Sequence, residues 1–112
     1  MPRHARLRFA GMPLHVIQRG NNRSACFAAD ADYRLFLALI GELAPRFGCE
    51  LHAYVLMTNH AHLLMTPRDP EGASRLMKHL GQRYVQYVNR LYRRTGSLWE
   101  GRFRSSVVDS DG

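Results

Sequence analysis

The sequence is poor in cysteine, in lysine and in long apolar runs. Only Cys26 and Cys49 are present among 112 residues, without CxxC spacing, so one chain can form neither a disulfide framework nor a four-sulfur zinc site. No stretch approaches the roughly 20 apolar residues that cross a bilayer, and the charged N-terminus lacks the apolar core of a secretory signal. We therefore expect free thiols, no membrane insertion and a cytoplasmic protein forming one domain over residues 1–112.

Basic residues are in excess. The chain has 16 Lys+Arg against 9 Asp+Glu, a net charge of +7, and Lys78 is its only lysine. Arginine binds phosphate with a planar, bidentate fork and stacks on bases, whereas lysine supplies a point charge. The balance is typical of proteins that neutralise phosphates, although a generic basic protein has it too, so motifs must decide.

Hydrophobic periodicity and turn residues divide the chain into four strands and two helices. Strands are predicted over residues 13–19, 51–57, 61–65 and 98–108, and helices over residues 30–47 and 76–95. The order β-α-β-β-α-β predicts an α+β, ferredoxin-like fold: one antiparallel sheet with two helices on one face. The other face would need cover from a further C-terminal segment, from a second subunit in a homodimer, or from a nucleic acid.

The triplet His60-Ala61-His62 lies at the start of the third predicted strand. Residues i and i+2 of a strand point to the same face, so two imidazoles can grip one cation. Two ligands are too few for a structural zinc site, which favours an open metal site, but an H-x-H triplet alone is also typical of two half-exposed strand histidines.

Four blocks of sequence resemble one known family. Residues 53–64 (AYVLMTNHAHLL) resemble the motif strand of the HUH single-tyrosine transposases, in the branch associated with repetitive extragenic palindromes. Residues 16–23 resemble that branch's first strand and turn, residues 76–84 its second helix, and residues 96–105 its fourth strand. The blocks follow the family's order and cover nearly the whole chain.

The resemblance implies a function as well as the ferredoxin-like fold. It implies that His60 and His62 hold Mg²⁺ or Mn²⁺, which polarises a scissile phosphate while a tyrosine attacks and forms a 5′-phosphotyrosine link. The implied partner is single-stranded or hairpin DNA, either a repetitive palindromic or a transposon-end sequence.

The chain departs from the family in one respect. The family's tyrosine lies on a helix after the fourth strand, with an amide metal ligand one turn later, and this chain ends at Gly112 where that helix is expected. We therefore assign no catalytic residue. Tyr84 is expected in the core, and Tyr87 and Tyr92 at its boundary or stacked on bases. A catalytically inactive ferredoxin-like nucleic-acid-binding module is the alternative, and a metal-binding structural protein is a third.

The residues expected to contact DNA are basic or polar and lie in three places. They are Arg19, Asn21, Asn22 and Arg23 after the first strand; Arg75, Lys78, Arg83, Arg90, Arg93 and Arg94 on the second helix and its end; and Arg102 and Arg104 near the fourth strand. Each group also has a structural explanation, since Asn-rich turns need no ligand and basic residues stabilise helix C-termini. Trp99 fits either base stacking or the core.

Overall fold

The computed structural model describes residues 10–108, which form one four-stranded sheet and two helices. The strands are β1 (Leu14–Arg19), β2 (Cys49–Met57), β3 (His60–Pro67) and β4 (Arg104–Val107), the helices are α1 (Asp30–Arg46) and α2 (Gly72–Leu91), and a 3-10 turn spans Asn21–Arg23. The sheet order is β2-β3-β1-β4 and each neighbouring pair is antiparallel. The predicted α+β, ferredoxin-like βαββαβ fold is confirmed. Within the described residues, no helix is long and apolar enough to cross a membrane.

The core lies between the sheet and the two helices. Leu14 and Val16 of β1 and Leu63 and Met65 of β3 are almost fully buried, whereas the residues between them are only half-buried. This alternation shows that both helices cover one face, because successive strand residues point to opposite sides. The helices contribute a larger set of buried side chains, Phe36, Leu39, Ile40, Leu43, Leu76, Leu80, Tyr84 and Val88. Cys26 and Cys49 are buried free thiols, as expected.

The fourth strand is shorter than predicted. Strand character was expected over residues 98–108, but β4 begins only at Arg104. Gly96 and Gly101 both adopt positive φ, at +85° and +61°, a conformation that extended strands exclude. Residues 98–103 therefore form a loop, in which Trp99 makes one isolated bridge to Gly20.

Backbone hydrogen bonds tie the turn after β1 to two other parts of the chain. The Gly20 N–H donates to the carbonyl of Asn59 and the Asn21 N–H to that of Leu98, each at 2.8 Å. A Cβ at position 20 would collide with the Ser24 carbonyl oxygen and the Cys26 sulfur, so only glycine fits. Asn22 adopts φ 54°, which asparagine tolerates better than most residues. The turn is therefore held against the start of β3.

A buried carboxylate joins the beginning of α1 to the end of α2. Asp32 is 0 % exposed, and its Oδ2 accepts hydrogen bonds from the backbone N–H groups of Ala28 at 2.8 Å and Ala29 at 3.1 Å. The Tyr92 hydroxyl donates to Oδ2 at 2.6 Å and the Tyr87 hydroxyl to Oδ1 at 2.7 Å. Burial alone would raise the pKa of Asp32, but these four hydrogen bonds hold it below its usual value. The carboxylate is therefore ionised and fully satisfied.

Replacing Asp32 with asparagine should destabilise the protein by about 2–3 kcal/mol, because an amide cannot accept all four hydrogen bonds and leaves buried donors unpaired. The measurement is urea denaturation followed by circular dichroism. Asp30→Asn is the matched control, since Asp30 is exposed in the same helical turn and should contribute less than about 1 kcal/mol through the helix dipole. Equal losses in the two variants would contradict the role of Asp32.

The effect of Asp32 should also depend on pH. Because its folded-state pKa is depressed, its carboxylate stabilises the fold above the unfolded-state pKa of about 3.9, and the contribution is lost as pH falls through the folded-state pKa. The difference between wild type and Asp32→Asn should thus shrink on acidification. A difference that stays constant down to pH 2 would show that the carboxylate is not ionised in the folded protein.

Candidate active site

The helices leave one face of the sheet uncovered, and we call it the open face. Its side chains follow from strand alternation and register. They are His15, Ile17 and Arg19 on β1, Ala53, Val55 and Met57 on β2, His60, His62 and Leu64 on β3, and Arg104 and Ser106 on β4. Both histidines of the triplet therefore lie on the open face, whereas Ala61 between them is buried in the core.

The His60 and His62 rings lie against each other. Their centroids are 4.8 Å apart and the rings meet edge to face at 75°. The Nδ1 of His60 lies 2.7 Å from the Oδ1 of the Asn59 side chain, so one ring nitrogen of His60 is engaged by a neighbouring residue. The pair has the shared face that the sequence predicts for a two-histidine metal site.

A third histidine, which the sequence analysis did not single out, lies beside this pair, and we call His15, His60 and His62 the histidine cluster. His15 stacks on His62 with centroids 5.2 Å apart and rings 9° from parallel, and its Nε2 lies 3.0 Å from the Nδ1 of His62. Its alternation with the apolar Leu14 and Val16 indicates the face on which it lies. Only the register of β1 on β3, which pairs His15 with Leu64 and Ile17 with His62, places it beside the triplet.

The surroundings of His62 favour its neutral form. Partial burial lowers the pKa of His62, and the nearby His60, His15 and Arg19 side chains lower it further. A neutral imidazole keeps a lone pair on one nitrogen, which is the form that binds a metal. Arg19 therefore acts on this site through its charge as well as being a predicted DNA contact.

The histidine pair forms one wall of an open depression of about 400 Å³ on the sheet. Its other walls are mainly apolar, with Val55, Met57 and Leu64 among them. Within residues 10–108, no three His, Cys, Asp or Glu side chains are grouped so as to hold a metal ion. The donor set fits two ligands of an open divalent-metal site, and further ligands would have to come from elsewhere.

Tyrosines are absent from the cluster. All five tyrosines of the chain lie within the described residues. Tyr33 is on α1, and Tyr84 and Tyr87 are on α2, which covers the opposite face. Tyr54 on β2 pairs with the buried Leu63, so strand alternation turns it away from the open face, but it is 50% exposed and also borders the depression beside the histidines. Tyr92 caps α2.

The three tyrosines near α2 are committed to structural hydrogen bonds. Tyr84 is 0 % exposed, as expected for a core residue, and its hydroxyl donates to the Cys26 carbonyl at 2.6 Å. Burial is the main cause that raises the pKa of Tyr84 above its usual value. The hydrogen bonds to Asp32 raise the pKa of Tyr87 to about 12 and also raise that of Tyr92. All three hydroxyls are thus engaged on the helix side of the sheet.

The predicted DNA contacts do not gather on one face. Arg19 and Arg104 lie on the open face, where Arg19 pairs in register with His60 and Arg104 with Ile17. Asn21 and Asn22 follow β1 in the turn that contacts the start of β3, and Arg23 ends that turn. Of these positions, Arg19 and Arg104 are the ones that the register places beside the histidine cluster.

The remaining basic residues lie on the helix side or in loops. Arg83 is exposed and forms an ion pair with Glu42 of α1 at 2.6 Å, while Arg94 donates to Asn89 and to the Ser97 carbonyl. The others, Arg75, Lys78, Arg90, Arg93 and Arg102, are exposed. Lys78 and Arg102 border a groove of about 800 Å³ between α2 and the loop before β4.

Trp99 packs as a core anchor rather than as a free stacking surface. It is half-buried, and its ring centroid lies 6.0 Å from that of Tyr84 and 6.2 Å from that of Phe36. The sequence leaves base stacking and core packing open for Trp99, and the observed contacts favour core packing.

The site is an H-x-H pair on the open face of a ferredoxin-like sheet. Comparison with known proteins identifies the family that shares this arrangement. The family described as "Transposase IS200 like" matches residues 9–111. The chain belongs to the IS200-like transposase family. None of the curated proteins matches it at a significant level.

Two solved structures share the fold. A REP-associated tyrosine transposase bound to a REP hairpin superposes with a TM-score of 0.77 at 16% sequence identity, covering 98% of this chain and 64% of that one. A candidate transposase from Deinococcus radiodurans R1 superposes with a TM-score of 0.69 at 20% identity, covering 98% of this chain and 86% of that one. The chain thus spans less than two thirds of the first of these relatives.

The His60 and His62 pair should bind Mn²⁺ weakly, because two imidazoles converge without a third ligand among the described residues. Isothermal titration calorimetry should show this binding in the wild type and its loss in His60→Ala and in His62→Ala. His52→Ala is the control, since His52 lies on β2 and hydrogen-bonds Thr66. Binding that survives both changes would rule out the pair as ligands.

Proposed function

We propose that the chain is the DNA-handling part of a single-tyrosine transposase, which holds single-stranded or hairpin DNA on the open face of its sheet. The observation that carries the proposal is the His60 and His62 pair on an uncovered sheet face in a member of the IS200-like family. The fold neighbour bound to a REP hairpin supports a hairpin partner.

Two arginines of the open face also support this proposal. Arg19 and Arg104 stand on the open face, and the net charge of +7 favours a polyanion. The Asn21–Arg23 turn starts next to this face, because the N–H of Gly20, the residue before the turn, donates to the carbonyl of Asn59, the residue before His60. The guanidinium groups of Arg19 and Arg104 would neutralise phosphates on either side of the histidines. Hydrogen-bond donors of the turn would fix the position of the DNA strand.

The two histidines fit Mg²⁺ or Mn²⁺ as the metal of this site. A divalent ion bound there would act as a Lewis acid on the scissile phosphate and stabilise the charge that develops on it. His60 and His62 would hold the ion, and Arg19, which pairs in register with His60, would face the phosphate. Partial burial, more than the Arg19 charge, lowers the pKa of His62 and so favours the neutral form that binds a metal.

Cleavage needs a nucleophile, and none of the five tyrosines is hydrogen-bonded or stacked against the histidine cluster among the described residues. A tyrosine oxygen must lie in line with the phosphorus, and a displacement of about 1 Å can cost roughly a hundredfold in rate. Tyr84, Tyr87 and Tyr92 are hydrogen-bonded on the helix side. In the proposed reaction the attacking tyrosine therefore comes from another polypeptide segment that reaches the open face.

The absence of a placed tyrosine also favours a second candidate function, that of an inactive nucleic-acid-binding module. Such a module keeps the arginines and the sheet but makes no use of the metal. Metal-dependent nicking after a tyrosine-bearing segment is added separates the two, because only the transposase would then cut.

Changing Arg19 and Arg104 to alanine should weaken hairpin binding and reduce the slope of log K against log salt by about 1 for each phosphate that is no longer neutralised. Fluorescence anisotropy with a labelled DNA hairpin at several salt concentrations measures both effects. Arg83→Ala is the matched control, since Arg83 pairs with Glu42 on the helix side.

The same titrations compare the hairpin with a random duplex of equal length. We expect tighter binding to the hairpin. Equal affinity for both, or a larger decrease in affinity in Arg83→Ala than in the open-face variants, would mean that the DNA does not bind as proposed.

The 112-residue chain by itself should form no covalent adduct with a 5′ DNA end, even with Mn²⁺ and a hairpin. The hydroxyls of Tyr84, Tyr87 and Tyr92 are hydrogen-bonded on the helix side, and strand alternation turns Tyr54 away from the open face. A denaturing gel with labelled DNA tests this, and a native gel of the same sample shows that the DNA is bound. An adduct that disappears in Tyr84→Phe, Tyr87→Phe or Tyr92→Phe would place the active site on the helix side.

A further inference from the structure

His15 and His62 are joined by one hydrogen bond across neighbouring strands. The Nε2 of His15 lies 3.0 Å from the Nδ1 of His62, and the two rings are nearly parallel. Between two neutral imidazoles, one nitrogen must donate and the other must accept. The direction of this bond therefore decides which nitrogen of His62 keeps its lone pair.

The two directions have opposite consequences for metal binding. If the Nδ1–H of His62 donates to His15, the Nε2 of His62 is left as an acceptor. If His15 donates, the proton of His62 moves to Nε2 and blocks that nitrogen. Within residues 10–108, no hydrogen bond to the Nε2 of either His60 or His62 is found. Both Nε2 atoms are thus free to bind an ion.

We propose that His15 is a positioning residue that accepts a hydrogen bond from the Nδ1–H of His62 and so holds His62 in the tautomer whose Nε2 can bind a divalent metal. This tautomer matters for metal binding, so the inference rests on the proposed function. Metal-binding histidines are commonly held in this way by a partner at the other nitrogen, usually a carboxylate or a carbonyl. Here a second histidine takes that place.

The Nδ1 of His60 also has a hydrogen-bond partner. This nitrogen lies 2.7 Å from the Oδ1 of Asn59, an oxygen that can only accept, so the Nδ1 of His60 donates. The same tautomer in both rings leaves two Nε2 lone pairs on one face of the sheet. Asn59 is also fixed in place, because its carbonyl accepts the Gly20 N–H.

The test reads the tautomer directly in the metal-free protein. Long-range ¹H–¹⁵N spectra at a pH where the imidazoles are neutral should show His62 protonated at Nδ1. His15→Phe keeps a ring but removes the acceptor, so the proton should shift toward Nε2. His15→Gln presents an amide oxygen near the former position of Nε2 and should restore the Nδ1–H form. Thermal unfolding of each variant confirms that the fold is intact.

A Mn²⁺ titration of the same variants measures what the tautomer contributes. We expect His15→Phe to weaken Mn²⁺ binding by about 10- to 100-fold and His15→Gln to recover most of that affinity. His62 protonated at Nε2 in the wild type, or a tautomer unchanged in His15→Phe, would overturn the proposal. If the spectra are as expected but His62→Ala binds Mn²⁺ normally, the positioning role stands and the metal site of the proposed function fails.

Discussion

The alternation of side chains along β3 is the constraint on which the site depends. Ala61, Leu63 and Met65 are buried against the helices. Because a strand has a side-chain period of two, His60 and His62 must lie on the other face. A slip of one residue in the register would bury two imidazoles and expose the core. The burial of apolar side chains that stabilises the sheet therefore also determines the face on which the histidines lie.

The opposite face has its own anchor in the Asp32 carboxylate. Two tyrosine hydroxyls and two backbone N–H groups converge on it, so the end of α2 is bound to the beginning of α1. These hydrogen bonds give Tyr87 and Tyr92 a structural role and raise their pKa values. Tyr87 and Tyr92 accordingly lie on the helix side of the sheet, and the histidine cluster lies on the open face.

Local pattern predicted the element order and the shared face of His60 and His62, since both depend on neighbours in sequence. It predicted the core position of Tyr84 for the same reason. What it missed depends on distant pairing: His15 joins the cluster only through the register of β1 on β3, and Arg83 meets Glu42 only when the two helices pack. The loop before β4 was missed because the left-handed conformations of its glycines outweigh the strand propensity of their neighbours.

The separation of the two faces has an evolutionary consequence. None of the three clustered histidines belongs to the buried core, so a lineage can lose any of them while the core packing survives. Selection for chemistry and selection for a stable fold therefore act on different residues. A lineage that lost these histidines one at a time would keep its packed core and its basic charge at every intermediate stage.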